Sequence, residues 1–198
     1  MTRSTRTYRK RKRKKAEEAT RRRITEAAVE LHGTVGPANA TVTDIAKLAG
    51  VSRATVYNHF PTDADLFRGC SSHWAAENPF PDPSSWTLAD PSKRLLTGLE
   101  ELYGWYRANE DMLGNVLRDL RIIEALAEVM GALWVPYVQG VVAALAEGWS
   151  TDTVDADSLD AMLLLAVDFN TWQLLRNAGM DDEAAAATMT RMVTGAVG

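Results

Sequence analysis

The chain has 198 residues, 46% hydrophobic and 24% charged, a globular balance that excludes disordered and fibrous classes. Seven prolines and thirteen glycines exclude a collagen-like repeat, and Cys70, the single cysteine, excludes an intrachain disulfide and a thiolate metal cluster. The net charge of -4 hides a split: residues 1–60 sum to +9 and residues 61–198 to -13. A positive front suits a polyanion, whereas an acidic body repels one and helps to fix orientation. No stretch reaches eighteen uninterrupted apolar residues, so no membrane span or membrane partner is expected. The basic N-terminus has no apolar run behind it and does not read as a secretory signal. A soluble, cytoplasmic protein is expected.

Residues 1–15 carry Arg3, Arg6 and a cationic run from Arg9 to Lys15, with only Tyr8 able to pack, which predicts a disordered basic arm. From Ala16 the pattern turns helical, with Ile24, Ala27, Ala28 and Leu31 at amphipathic spacing. Gly33, Gly36 and Pro37 end that helix. A second helix begins near Thr41 or Thr43, with Val42, Ile45, Ala46 and Ala49 on one face. Gly50 then suits a left-handed helix end and Ser52 an N-cap. Val51 and Val56 are spaced for a hydrophobic staple. The third helix runs from Arg53 to about His59, stopped by Pro61. A fourth, about Asp63 to Glu77, carries Leu66, Phe67, Cys70 and Trp74.

Pro79, Pro81 and Pro83 mark a loop from Asn78 to Asp90. Asp90 caps the next helix with Pro91 in its first position, and Leu95, Leu99, Leu102, Tyr103 and Tyr106 form its buried stripe. Two more helices are predicted at 110–120 and 121–148, the second interrupted at Pro136. The last two cover about 156–177 and 182–197 around a turn at Gly179. With no alternating pattern anywhere, the fold is predicted all-α: a three-helix N-terminal domain and a C-terminal bundle, about nine helices in total. The predicted divisions are an arm at 1–15, the three-helix domain at 16–67, and the C-terminal bundle at 68–198.

A short helix, a glycine turn and a second short helix make a helix-turn-helix, whose second helix reads the DNA major groove. Counted at 100° per residue, Val56 and Phe60 of the third helix point inward together. Ala54, Thr55, Tyr57 and Asn58 lie on other faces, with Arg53 at the exposed N-terminal end. One guanidinium, hydroxyls, an amide and an imidazole, with no acid, suit phosphates and base edges. Arg21, Arg22 and Arg23 start a helix that crosses the backbone and are candidate phosphate ligands. The arm either touches DNA, for example in a minor groove, or adds nonspecific attraction and solubility.

The stretch Arg22–Phe67, with TVTDIAKLAGVSRATVYNHFPTDADLF at Thr41–Phe67, resembles the DNA-binding domain of the tetracycline-repressor (TetR) family. The resemblance implies a phosphate contact at Thr43, base-reading or phosphate contacts at Arg53 and Thr55, backbone contacts at Tyr57 and His59, and a variable contact at Asn58. One departure stands out: Pro61-Thr62-Asp63 occupies the place where the family carries a phosphate-clamping Lys, and Asp63 cannot bind phosphate. The resemblance further implies a ligand-responsive repressor, a homodimer on a palindromic double-stranded operator, released when a ligand shifts the fourth helix and the spacing of the reading heads. A constitutive architectural DNA-binding protein without effector is the alternative reading.

On helices that line effector pockets in that family lie Tyr103, Tyr106, Trp134, Tyr137, Phe169 and Trp172, with Arg107, Asn115, Asn170 and Gln173 as polar partners. Such a lining fits a small apolar or aromatic effector. The predicted helix at 156–177 is apolar on two sides: Ala161, Leu164, Leu165, Trp172 and Leu175, and then Leu159, Met162, Leu163, Ala166 and Phe169. A helix apolar on both sides is buried on both. The resemblance implies a dimer built from this helix and the last one of each subunit, with Ala161, Leu164, Leu165, Trp172, Met189, Met192 and Val193 as the candidate interface. Cys70 and His73, three apart, have no second ligand pair, so neither a metal nor a cofactor is expected. No nucleophile–base set points to an enzyme.

Overall fold

The structure, a computed structural model, describes residues 3–150 and 153–197. It is all-helical among those residues, with no strand. The ten α-helices run as α1 (Arg3–Thr34), α2 (Val42–Leu48), α3 (Arg53–His59), α4 (Asp63–Glu77), α5 (Pro91–Ala108), α6 (Glu110–Asp119), α7 (Glu124–Ala146), α8 (Ala156–Val167), α9 (Phe169–Asn177) and α10 (Asp182–Val197), with a 3-10 turn at Pro83–Ser85. They fall into two compact units, residues 1–79 with 111–129 and residues 80–110 with 130–198. The first unit's N-terminal segment ends at Pro79, and α6 with the start of α7 clusters with the N-terminal helices.

In the first unit α1 packs on α2 and α4, and α2 on α3. Ile24, Ala28, Ile45, Val56 and Phe60 form its dry centre. The α1–α2 connection is pinned by α6. Asn115 Nδ2 donates to the Gly33 carbonyl at 2.8 Å and Asp119 Oδ2 accepts from the Ala38 N–H at 2.9 Å. The Arg118 guanidinium holds the Asp119 carboxyl below the usual carboxylate range. Asn115, one of the expected effector partners, is thus committed to this joint.

His32 is buried in the same unit, 3.6 Å from Cys70 Sγ and tilted against the Phe67 ring. Burial pushes its pKa down to about 4, against the opposing pull of Asp119. The unfolded chain binds this proton near 6.5, so stability is complete above that pH and drains away as pH falls toward 4. The loss amounts to about 3 kcal/mol. Chemical denaturation between pH 7 and 4 should show it, and His32→Leu should flatten that part of the curve. An unflattened curve would place the titrating group elsewhere.

In the second unit α5 packs on α10 and α8. Leu95, Leu99, Leu102, Tyr103 and Tyr106 of α5 are fully buried. The sequence pattern joins 156–177 into one helix; the structure breaks it at Asp168, whose extended backbone (φ -73, ψ 131) caps α9 through the Thr171 N–H. That break frees carbonyls, and α5 supplies their donors. Tyr103 Oη donates to the Ala166 carbonyl at 2.6 Å and Tyr106 Oη to the Val167 carbonyl at 2.5 Å. Burial, the largest influence, pushes both phenols well above their ordinary value, so they stay protonated donors. Two buried hydroxyls on two buried carbonyls satisfy groups whose neglect would cost about 1–3 kcal/mol each.

The expected interruption at Pro136 is absent, because α7 runs unbroken from Glu124 to Ala146. Proline removes the N–H that would meet the Ala132 carbonyl, but both residues are exposed, where losing one helical bond costs little because solvent is at hand. By length and composition alone α7 could cross a bilayer. Leu126, Val129, Val141, Val142 and Leu145 are buried, whereas Leu133, Val135 and Pro136 in the middle of the helix are exposed.

The composition of residues 1–15 predicts a disordered arm, whereas α1 begins at Arg3. Lys and Arg are good helix formers, and the packed part of α1 supplies the nucleus that an isolated segment lacks.

Candidate nucleic-acid interface

The turn between α2 and α3 is built from backbone chemistry. Thr41 caps α2 by accepting from the Asp44 N–H at 3.2 Å. At the other end Gly50 takes φ +65, which a side chain would strain. Its N–H reaches the Lys47 carbonyl at 3.2 Å, and the Val51 N–H reaches Ala46 at 2.9 Å. These two bonds are the Schellman closure of α2. Ser52 then accepts from the Thr55 N–H at 3.1 Å and starts α3. The chain turns in four residues, Ala49 to Ser52, between two capped helices, which fixes the angle of α3.

Val56 and Phe60 anchor α3, each 1% exposed. Arg53, Ala54, Tyr57 and Asn58 are exposed, and Thr55 and His59 are half-buried. Tyr57, 42% exposed, is a large aromatic with no core to fill, which suits it for contact with a partner. Thr43 is exposed on α2. Thr55 lies 2.9 Å from the Ser52 hydroxyl, so its own hydroxyl takes part in the cap.

The three arginines of α1 differ in what they do. Arg21 Nη1 donates to the His59 carbonyl at 2.7 Å, and its guanidinium sits 4.0 Å above the Phe60 ring. It ties α1 to the C-terminal end of α3 and neutralises that end of the helix. Arg22 pairs with Glu26 at 3.1 Å. Arg23 is exposed beside Gly50. Sequence spacing groups all three as phosphate ligands; the structure gives Arg21 a positioning task as well.

Phe60 is clamped from the other side by Gly69 of α4, where a Cβ would stand 2.6 Å from its ring edge. Gly69→Ala should therefore displace Phe60 and cost about 1–3 kcal/mol. A fall in Tm would accompany weakened DNA binding, and an unchanged Tm would show that the ring yields freely. Behind this contact, Glu18, Arg21, Arg22, Thr25, Arg68, Gly69, Ser72 and His73 line a groove of about 430 Å³ between α1 and α4. The sequence held its signal in the three- and four-residue spacings within each helix, but not the pairing of the helices.

The expected effector residues divide by burial. Tyr103, Tyr106 and Phe169 are interior, the two tyrosines spent on the α8–α9 break. Arg107 pairs with Asp182 at 3.1 Å, and Asn170 is exposed beside Asp168. Gln173 is half-buried. Trp134 and Tyr137 join Phe80 and Trp105 in a half-buried cluster with ring centroids 4.8–6.3 Å apart. Phe80 and Trp105 are the members that sequence reading misses, since one lies in a proline-rich loop and the other off the buried stripe.

The candidate dimer residues divide too. Ala161, Leu164, Leu165 and Met192 are exposed, whereas Trp172, Met189 and Val193 are within 2% of full burial inside their own chain. Trp172 donates to Asp182 Oδ1 at 3.1 Å and packs at a tilt against the Tyr106 and Phe169 rings. Helical spacing gathers these residues into one face, but their burial assigns the last three to the monomer's core. Among the described residues no group of three His, Cys, Asp or Glu could hold a metal ion.

Residues 24–70 match the family model for bacterial regulatory proteins of the tetR family. No curated protein matches the chain. Among solved structures, NalD, the secondary repressor of the MexAB-OprM multidrug efflux pump in Pseudomonas aeruginosa, is similar at 23% identity and TM-score 0.61, over 91% of this chain and 97% of that one. A TetR transcription regulator from Haloarcula marismortui aligns at 22% identity and TM-score 0.60, over 90% and 96%. The regulator FadR from Bacillus subtilis, solved with stearoyl-CoA, aligns at 19% identity and TM-score 0.61, over 89% and 98%. At these identities the likeness is one of fold.

Proposed function

Because this chain carries the N-terminal domain of the tetR-family bacterial regulators, we propose that it is a ligand-responsive repressor that binds a palindromic operator as a homodimer and leaves it when a small molecule binds. The observation that carries this reading is α3: anchored by Val56 and Phe60, capped at Ser52, and presenting Arg53, Tyr57 and Asn58 outward with no acid among them. Thr43, Thr55, His59, Arg22 and Arg23 supply backbone contacts around it. The function is regulatory rather than enzymatic, and the place of work is the cytoplasm, where the DNA is.

The effector reading rests on the half-buried cluster of Phe80, Trp105, Trp134 and Tyr137, which suits a small apolar or aromatic molecule. FadR, a structural neighbour solved in complex with stearoyl-CoA, supports the effector reading. Such a ligand releases DNA only by binding the non-matching state more tightly.

Selection of duplexes from a random library by the full-length chain tests the reading. An inverted repeat should emerge, with half-sites about 34–36 Å or a multiple of that apart, the spacing of successive major grooves. Enrichment of no sequence would overturn it.

A further inference from the structure

The described part of α1 outreaches its own domain. Its first buried side chain is Ile24, and residues 7–19 are exposed without exception. At about 1.5 Å per residue, the helix from Arg3 to Thr20 extends roughly 27 Å beyond the turn that packs. Arg9, Lys10, Arg11, Lys12, Arg13, Lys14 and Lys15 sit on this extension. Seven consecutive residues at 100° each pass all the way around the axis, so no face is neutral and none is apolar.

This rod gains little from the protein itself. Arg13 pairs with Glu17 at 2.9 Å and Lys14 with Glu18 at 3.7 Å, both at exposed positions where such pairs contribute little. Against them stand like charges four apart at Arg9 and Arg13, Lys10 and Lys14, and Arg11 and Lys15, each repelling by about 0.2–0.5 kcal/mol. A polyanion turns that repulsion into attraction. The arm's root says which polyanion is at hand: Arg21 is bonded to the His59 carbonyl at the end of α3, the helix proposed to enter the major groove. The cationic run Arg9–Lys15 spans about 10 Å of that helix, roughly three base pairs at 3.4 Å each, and starts about two turns from Arg21. A helix about 10–12 Å across cannot enter a minor groove about 6 Å wide, so a helical arm meets phosphates and not minor-groove base edges.

We propose that Arg9–Lys15, carried on the helical extension of α1, form a second DNA-binding element that grips phosphates flanking the half-site, adding affinity without sequence preference. The proposal rests on the DNA-binding reading above and deepens it.

The test uses the full-length chain and a full-length variant with Lys10→Gln, Lys12→Gln, Lys14→Gln and Lys15→Gln. Glutamine keeps helix propensity, and all four positions are exposed, so folding is not at risk. Affinity for a 40-base-pair random-sequence duplex is measured across a range of KCl concentrations. If half of the eight charges lost per dimer sit on phosphates, the slope of log affinity against log salt becomes shallower by about 3 to 4 units. Preference for a selected operator over the random duplex should stay within about threefold, since phosphate contacts carry no sequence information. An unchanged slope would overturn the proposal, leaving the arm as a solubility device. A lost preference that depends on A·T flanks would overturn it in favour of minor-groove reading by an unwound arm. Tighter binding of the unmodified chain to vesicles containing anionic phosphatidylserine than to duplex would overturn it in favour of a membrane. If operator selection fails while the slope still changes, the repressor reading falls and the arm's contact with DNA stands.

Discussion

Arg53→Ala and Tyr57→Ala should each abolish recognition of a selected operator while leaving fold and assembly untouched. Arg53 lies at the exposed N-terminal end of α3, the part of a reading helix that meets base edges, and Tyr57 projects one turn further on. The base contact expected of Arg53 discriminates by about 1–3 kcal/mol. The backbone contact expected of Tyr57, a hydrogen bond to a charged phosphate, contributes about 1.5–3 kcal/mol, and a two-headed complex loses either one twice. The expected loss of operator affinity is therefore roughly 30-fold to more than 10⁴-fold. Neither side chain is buried, and neither makes a hydrogen bond that caps or anchors α3, so Tm should hold, as exposed substitutions change stability within about 0.5 kcal/mol. Band-shift titration of the operator and of a random duplex, side by side, separates reading from general attraction. Equal operator affinity in both variants would remove α3 as the reading element. A variant that fails only through a fallen Tm would place its residue in the scaffold.

What the sequence reveals of this molecule follows the range of the forces involved. The α2–α3 turn is local chemistry: Gly50 and Ser52 cap helices through bonds that span at most five residues, and they read directly from the letters. The extents of α3, α4 and α10 are legible for the same reason. The break at Asp168 is not, because the apolar run Leu163–Val167 continues a helical pattern into it. The donors that stabilise the break, Tyr103 and Tyr106, come from more than sixty residues away. Their spacing reads as a core stripe or a pocket wall, and only the partner carbonyls decide. Pro136 errs in the opposite direction. Proline chemistry predicts an interruption, but the exposed position of Ala132 makes the missing bond cheap. The same limit governs α8, α9 and α10. A helix apolar on two sides announces two burials, yet the letters do not say that Trp172, Met189 and Val193 face inward while Leu164, Leu165 and Met192 do not.

That division sharpens the second large effect. Leu164 and Leu165 of α8 are 47% and 53% exposed, Leu174 of α9 is 69% exposed and Met192 of α10 is 57% exposed. Four large apolar side chains left in water on consecutive helices of one unit are what a homodimer interface would cover. Leu164→Glu with Leu165→Glu should yield monomers, since burying unpaired charge costs several kcal/mol per site. Both positions are exposed in the monomer and glutamate is a good helix former, so the single chain should still fold. A monomer engages one half-site at a time and loses the gain that linked heads obtain from effective concentration, so its operator affinity should fall by about 10²-fold or more. The control is α7, where Leu133 and Val135 are also exposed, at 37% and 50%. Leu133→Glu with Val135→Glu adds the same charge on a different helix and should leave a dimer in sedimentation equilibrium. If the α7 pair dissociates the protein and the α8 pair does not, the interface lies on α7. If neither does, the subunits meet through a surface that carries none of these four residues.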